Sequence, residues 1–388
     1  MSAPSTASAR RRGPLVHLGV DLTDAGAHPA AWRASGSRPE RVFDAARLTE
    51  LVARAQSGLL DFVALDDAFT LQPRSGGVRG RLDAALVAAR LAPRSAGIGL
   101  VATVDTTHTE PFHVSKAIAT IDHVSQGRAG WQVAWSTSDA AAAAFGRKPP
   151  QSEADAIEEA DEAAHVIARL WDSWEDDAEI RDVATGRFVD REKLHYVDHE
   201  GIRFAVKGPS ITPRPPQGRP PVVVPVTGDD ALRLAASRAD VARVQAATAE
   251  EAGELRDRLR SAAQDAERDP DELRVLVDAN VVLGADEPTA RARFELLQDL
   301  DDARWDGSLA HVGTAHTLTS TVEEWVRAGA ADGFVLRPAS LATDLDAVVA
   351  HTVPALQRLG LFRTAYPGTT LRDTLGLARP ANVFATSA

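Results

Sequence analysis

Strand and helix signals alternate along this chain from end to end, and that alternation restricts the fold more than any single motif. Apolar runs of strand length fall at residues 15–22, 61–65, 97–106, 131–135, 221–226, 239–246, 273–283 and 332–336. Each is followed by a helical segment: 43–56, 82–91, one opening near Pro111 and ending before Gly127, then 152–174, 229–237, 249–263, 287–300 and 343–359. Strands separated by helices predict parallel pairing with helical crossovers. Eight such units are the number that closes a (β/α)8 TIM barrel. An open doubly wound sheet is the alternative. No Gly-x-Gly-x-x-Gly follows any of these strands, which counts against a dinucleotide-binding sheet. Pro354 should kink the last helix.

The segment from Ser115 to Val133 shows how local chemistry sets the elements. Val114, Ala117, Ile118, Ile121 and Val124 recur at the spacing of a buried helical stripe. Gly127 stands where a positive φ ends the helix. Trp131-Gln132-Val133-Ala134-Trp135 then reads as a buried strand ending in polar Ser136 and Thr137. Barrels of this kind build sites from polar groups at the C-terminal ends of strands.

Two stretches break the rhythm. Residues 175–219 carry Gly186, Gly201, Gly208 and the run Pro213-Arg214-Pro215-Pro216, with a hairpin expected over 196–204. This insert precedes the fifth strand, which places it at the bottom of a barrel, away from catalysis. Residues 301–318 lack a hydrophobic period, and Ser320 with Glu323 is expected to cap a short helix reaching Trp325.

Composition excludes several classes. The 388 residues include 44% hydrophobic side chains, enough for a large core. A net charge of −12 disfavours nucleic acid and anionic membrane surfaces. No apolar run is long enough to span a bilayer. Cysteine is absent, so disulfides, thiolate catalysis and Cys-ligated metals are excluded. The histidines lack metal-site spacing, so no metal is expected. Residues 1–12 are expected to be a disordered tail and not a signal peptide, which makes a cytoplasmic protein the expectation.

Several motifs in the same order resemble the luciferase-like flavin monooxygenases, in the branch containing nitrilotriacetate and dibenzothiophene-sulfone monooxygenases. They are Ser115 to Val133, Trp171-Asp172-Ser173-Trp174, Val197-Asp198-His199-Glu200-Gly201, Pro216-Gln217-Gly218-Arg219-Pro220, Ala331-Asp332-Gly333-Phe334 and Leu359-Gly360-Leu361-Phe362-Arg363-Thr364. The resemblance implies one luciferase-like barrel over 13–388. It implies a monooxygenase of a small organic compound that uses O2 and reduced FMN (FMNH2), with the flavin supplied by a separate NAD(P)H:flavin reductase. A homo-oligomer is the expected assembly.

The resemblance also assigns candidate cofactor-binding residues: Asp67, Thr103, Gln132, Thr227 and Gly228. The chain departs from the family pattern at three places. Gln132 stands for an Asn, Ile157 for a Tyr and Gly228 for a Ser. Asp229 and Asp230 would also repel a phosphate at the following helix. These departures motivate a second reading, a flavin-poor barrel acting as partner subunit or binding protein. A third keeps the oxidoreductase class with a deazaflavin. The chain is also short between its seventh and eighth strands.

Other residues carry weaker assignments. Thr103 and Asp105 should share one strand face, with Thr106 on the other. Val133, Trp135, Val224 and Val226 are expected to wall the pocket. His28 and Trp32 follow the first strand and are candidates to line it, while His108 is read as a surface residue. His123 is read as structural. No side chain is identified as the catalytic acid or base.

Overall fold

The computed structural model describes residues 15–72, 76–305 and 307–385. The expected tail at 1–12 lies outside the described residues. Eight strands form the barrel: β1 His17–Asp21, β2 Phe62–Leu65, β3 Gly99–Asp105, β4 Ala129–Ala134, β5 Val222–Val226, β6 Val241–Val244, β7 Arg274–Gly284 and β8 Gly333–Pro338. Each pairs in parallel with the next, and β8 also pairs with β1, which closes the ring. The helices outside it include α1 Ala45–Ser57, α2 Ala84–Leu91, α3 Pro111–Ser125, α4 Glu153–Asp172, α5 Asp229–Arg238, α6 Ala249–Asp265, α7 Glu287–Leu300 and α8 Ala315–Arg327. Among the described residues, no helix is long and apolar enough to cross a membrane.

Strand parity sorts the side chains. Phe62, Ala64, Val101, Val223, Val241, Leu276 and Val335 cluster inside the barrel, with Leu371, Leu375 and Leu377 closing its lower end. Gly19 makes room for this layer, because a Cβ there would lie 2.5 Å from the Phe62 ring. The alternate residues face the helices. Trp131 is fully buried and meets Trp171 of α4 edge-on, with ring centroids 6.4 Å apart.

Three local expectations change. Val124 is 47% exposed, because the buried face of the last turn of α3 is carried by Ile121, Asp122 and Ser125. Residues 301–318 hold a further strand, Leu309–Thr314, paired in parallel with Ala279–Gly284 of β7. It lies at the sheet edge outside the ring and is partly exposed on both faces, so its sequence shows no clean alternation. The following helix is capped by Thr314 with Thr317, not by Ser320 with Glu323. The last helix widens to a π turn over Val348–Thr352 just before Pro354, which rearranges the hydrogen bonds around the missing N–H.

The insert carries a small hairpin, His199–Glu200 against Ala205–Val206. Arg214 anchors it, donating to Asp172 at 3.0 Å and to Asp176 at 2.8 Å. It enters β5 from that strand's N-terminal end, so it stands opposite the barrel mouth.

Candidate active site

Above the apolar layer, the inward residues turn polar. Thr103 on β3 accepts a hydrogen bond from Gln132 Nε2 on β4 at 3.1 Å. Gln132 Oε1 accepts from Arg243 Nη1 on β6 at 2.7 Å. Arg243 also donates Nε and Nη2 to the two carboxylate oxygens of Asp278 on β7, at 2.9 and 3.0 Å. Its Nη2 lies 3.6 Å from Asp21 on β1. β1 and β6 are not neighbours in the ring, so these groups meet across the barrel interior.

Burial works against the charge on Arg243, but Asp278 and Asp21 outweigh it and hold the guanidinium more firmly protonated than usual. The result is a fixed donor fork beneath the mouth, with the Gln132 amide oriented from both ends.

The candidate residues divide into those this network joins and those it does not. Thr103 and Gln132 are directly bonded. Asp67, just past β2, accepts from the backbone N–H of Ala68 and of Ala84 at the start of α2. Burial pushes its pKa up. Thr227 is exposed beyond β5 and donates to Glu153 at 3.3 Å. Gly228 precedes α5 and gives that helix no side-chain cap. A Cβ at Gly228 would meet nothing within 4 Å.

Asp229 pairs with Arg258 at 2.6 Å, and Asp230 pairs with Arg233. Each acid thus has a cation beside it, which offsets the repulsion expected for a phosphate. Ile157 is buried on α4 and borders a small cavity shared with Asp230, Arg233 and Leu234 of the α5 region.

The apolar wall expected from Val133, Trp135, Val224 and Val226 is overturned. Gln132 and Val223 face inward, so period-two alternation turns these four toward the helices. All four pack with the outer core.

Asp105 does share the inward face of β3 with Thr103. Its carboxylate accepts from Thr107 N at 2.8 Å and from the Ser136 hydroxyl, and burial raises its pKa. His108 is not a plain surface residue. It stacks on Phe145 at 4.8 Å with Phe69 at its edge, and its Nδ1 is buried without a partner. His123 Nε2 lies 3.2 Å from the Pro213 carbonyl, on the insert side. His195 and His199 each meet a glutamate, Glu175 and Glu162, at 2.8 Å.

A cavity of about 330 Å3 opens at the C-terminal ends of β1 and β8. His28 and Trp32 both line it, with Asp21, Thr23, Asp24, Gln72, Val78 and Arg337. That is the size of a small-molecule site.

Arg243, Asp278, Asn280 and Arg337 are not among the candidates drawn from the sequence. A signal for them was present. Each interrupts an apolar strand on the inward parity: Val241-Ala-Arg243, Leu276-Val-Asp278-Ala-Asn280, Val335-Leu-Arg337. A charged residue inside a fully buried parallel strand is rarely there for packing.

Known proteins agree with this architecture. The family model for luciferase-like monooxygenases matches residues 25–360. N-acetyl-S-(2-succino)cysteine monooxygenase of Bacillus subtilis (strain 168) is 31% identical over 433 aligned residues, covering 95% of this chain and 98% of that protein. Nitrilotriacetate monooxygenase component A of Aminobacter aminovorans is also 31% identical, with 95% and 98% covered. Among solved structures, EDTA monooxygenase from Chelativorans sp. BNC1 superposes with a TM-score of 0.87 over 94% of this chain and 99% of that one. Its 22% identity supports the fold alone. Closed barrel, polar mouth and whole-length similarity together place the chain in the luciferase-like monooxygenase family, as a flavin-dependent monooxygenase.

Proposed function

We propose that the enzyme oxygenates a small organic compound at the mouth of the barrel using FMNH2 delivered by a separate reductase. The observation that carries this reading is the inward polar layer of Thr103, Gln132, Arg243 and Asp278 at the C-terminal end of the strands.

The residues present suit a flavin. Arg243 has five N–H groups and spends three on Asp278 and Gln132, which leaves two for ring carbonyls. The first turn of α5 has no side-chain cap, and Gly228 leaves open space in front of it. Free N–H groups at a helix start favour a phosphate. Asp67, Thr103, Gln132, Thr227 and Gly228 are the residues proposed to hold the cofactor, with Arg243 added to them.

When bound, reduced FMN supplies the electrons that divide O2 between substrate and water. The protein's part is to bind, orient and exclude solvent. Gln132 is locked between Thr103 and Arg243, so it presents one face only. The cavity at the ends of β1 and β8 has Ala25, Ala27, Pro29, Trp32 and Val78 among its walls, which suits an organic substrate.

The test is reconstitution. Purified protein with FMN, NADH and a flavin reductase should consume O2 in a substrate-dependent way. Without the reductase it should not oxidise NADH at an enzymatic rate, since no dinucleotide fingerprint follows any strand. Robust NADH oxidation by the protein and FMN alone contradicts the two-component reading.

A further inference from the structure

Two side chains at the mouth hold hydrogen-bonding capacity that the protein leaves unused. Asn280 is 1% exposed on the inward face of β7, and its Oδ1 has no hydrogen-bond partner. Its register neighbour on β8 is Arg337. The Arg337 Nε is also buried without a hydrogen-bond partner. Among the described residues, the carboxylate it approaches is that of Asp21, at 4.0 Å. That is too long for a hydrogen bond, and Asp21 also faces Arg243 at 3.6 Å. Ser340, beyond the end of β8, carries a third such polar atom, a buried hydroxyl with no partner. Gly26, which lines the cavity of about 330 Å3, packs on the Ser340 backbone.

The contrast with Arg243 is informative. Arg243 commits three of its five N–H groups to Asp278 and Gln132, in the protein's own network. Arg337 borders the same cavity as Trp32 and His28 and keeps its side chain 31% exposed. A guanidinium is always charged, and its planar fork matches a carboxylate with two parallel bonds. Two acids share the cavity lining with it. Asp21 is held by Thr23 N at 2.9 Å. Asp24 accepts from Gln72 Nε2 at 3.1 Å, and burial favours its neutral form. Asp21 comes no nearer the Arg337 fork than 4.0 Å, at its Nε. The cavity therefore combines apolar walls with Arg337 at one end and the two acids beside it.

We infer that Arg337 recognises a carboxylate on the organic substrate. Arg337 is then a specificity-determining residue, and the substrate class is a small organic acid. This inference rests on the proposed oxygenation at the barrel mouth and names what that site accepts. The same fork could instead meet the phosphate of the flavin, and the experiment separates the two.

Calorimetry is run on the whole protein, with and without FMN, using benzoate, phthalate, succinate and nitrilotriacetate, each against its amide. At least one acid is expected to bind ten-fold or more tighter than its amide. Arg337→Ala should erase that preference, and Arg337→Lys should keep part of it by retaining the charge without the fork. FMN affinity should stay within about three-fold in Arg337→Ala, whose folding is checked by circular dichroism. Acids binding no tighter than amides, or a preference that survives Arg337→Ala, overturns the inference. So does loss of FMN binding in Arg337→Ala with the acid preference intact, which assigns the fork to the phosphate. Failure of FMN to bind any of these proteins refutes the oxygenation reading and leaves the acid preference measurable on its own.

Discussion

Arg243 on β6 grips Asp278 on β7 with two near-parallel hydrogen bonds, Nε to Oδ1 at 2.9 Å and Nη2 to Oδ2 at 3.0 Å. Both side chains are almost fully buried. Removing one partner from such a pair leaves a bare buried charge, which costs about 3–5 kcal/mol. Arg243→Met should therefore lower unfolding stability by about that amount in urea titration. Replacing both, Arg243→Met with Asp278→Leu, should recover most of the loss. A single variant as stable as the parent would mean the pair is solvated and the mouth wet.

Gly228 bears on cofactor affinity. Its φ is 175°, extended backbone that any residue adopts, and a Cβ there meets open space. Gly228→Ser should leave the melting temperature unchanged. A new hydroxyl donating to a phosphate contributes about 1.5–3 kcal/mol at best, so FMN should bind up to roughly 10- to 100-fold tighter. Ile157→Tyr is a harsher change, since Ile157 is buried against the core. Equal FMN affinity in parent and Gly228→Ser would place the phosphate elsewhere.

Asp122 gives a pH test at the other end of the barrel. Burial pushes its pKa up to about 6, although Gln217 N, Gln217 Nε2 and Ala129 N all donate to it. The folded state then holds its proton more tightly than the unfolded chain, whose value is about 3.9. The contribution to stability is full below about pH 4 and is lost as pH rises through 6, a change on the order of 3 kcal/mol. Asp122→Asn should flatten that portion of the stability profile. Parallel profiles for parent and variant from pH 4 to 7 would refute it.

Gly26 closes one side of the cavity under backbone constraint. Its φ is +147°, and a Cβ would lie 2.3 Å from the Ala339 carbonyl oxygen. Gly26→Ala should cost about 1–3 kcal/mol from backbone strain alone, read as a fall in melting temperature. An unchanged melting temperature would show that the loop relaxes freely.

The barrel was legible because its signal is periodic and repeats eight times. Each expected barrel strand is found to within a few residues. What escaped was parity within strands. Trp131 and Gln132 are adjacent, yet one faces α4 and the other the mouth, and choosing the wrong parity turned Val133 and Val224 into pocket walls. Arg243, Asp278 and Arg337 were visible as charges in apolar strands, but that Arg243 and Arg337 both face Asp21 depends on ring closure, which leaves only β7 and β8 between β6 and β1. The strand Leu309–Thr314 escaped for a different reason: an edge strand exposed on both faces has no pattern to read.

The central claim is that the polar layer around Gln132 and Arg243 holds a reduced flavin, and anaerobic titration with FMNH2 tests it most directly. The parent protein should bind one FMNH2 per chain saturably. Gln132→Leu, which strips Thr103 and Arg243 of their shared partner, should weaken that binding by about ten-fold or more, since ~1.4 kcal/mol is tenfold. No saturable binding by the parent, or the same affinity in Gln132→Leu, contradicts the account.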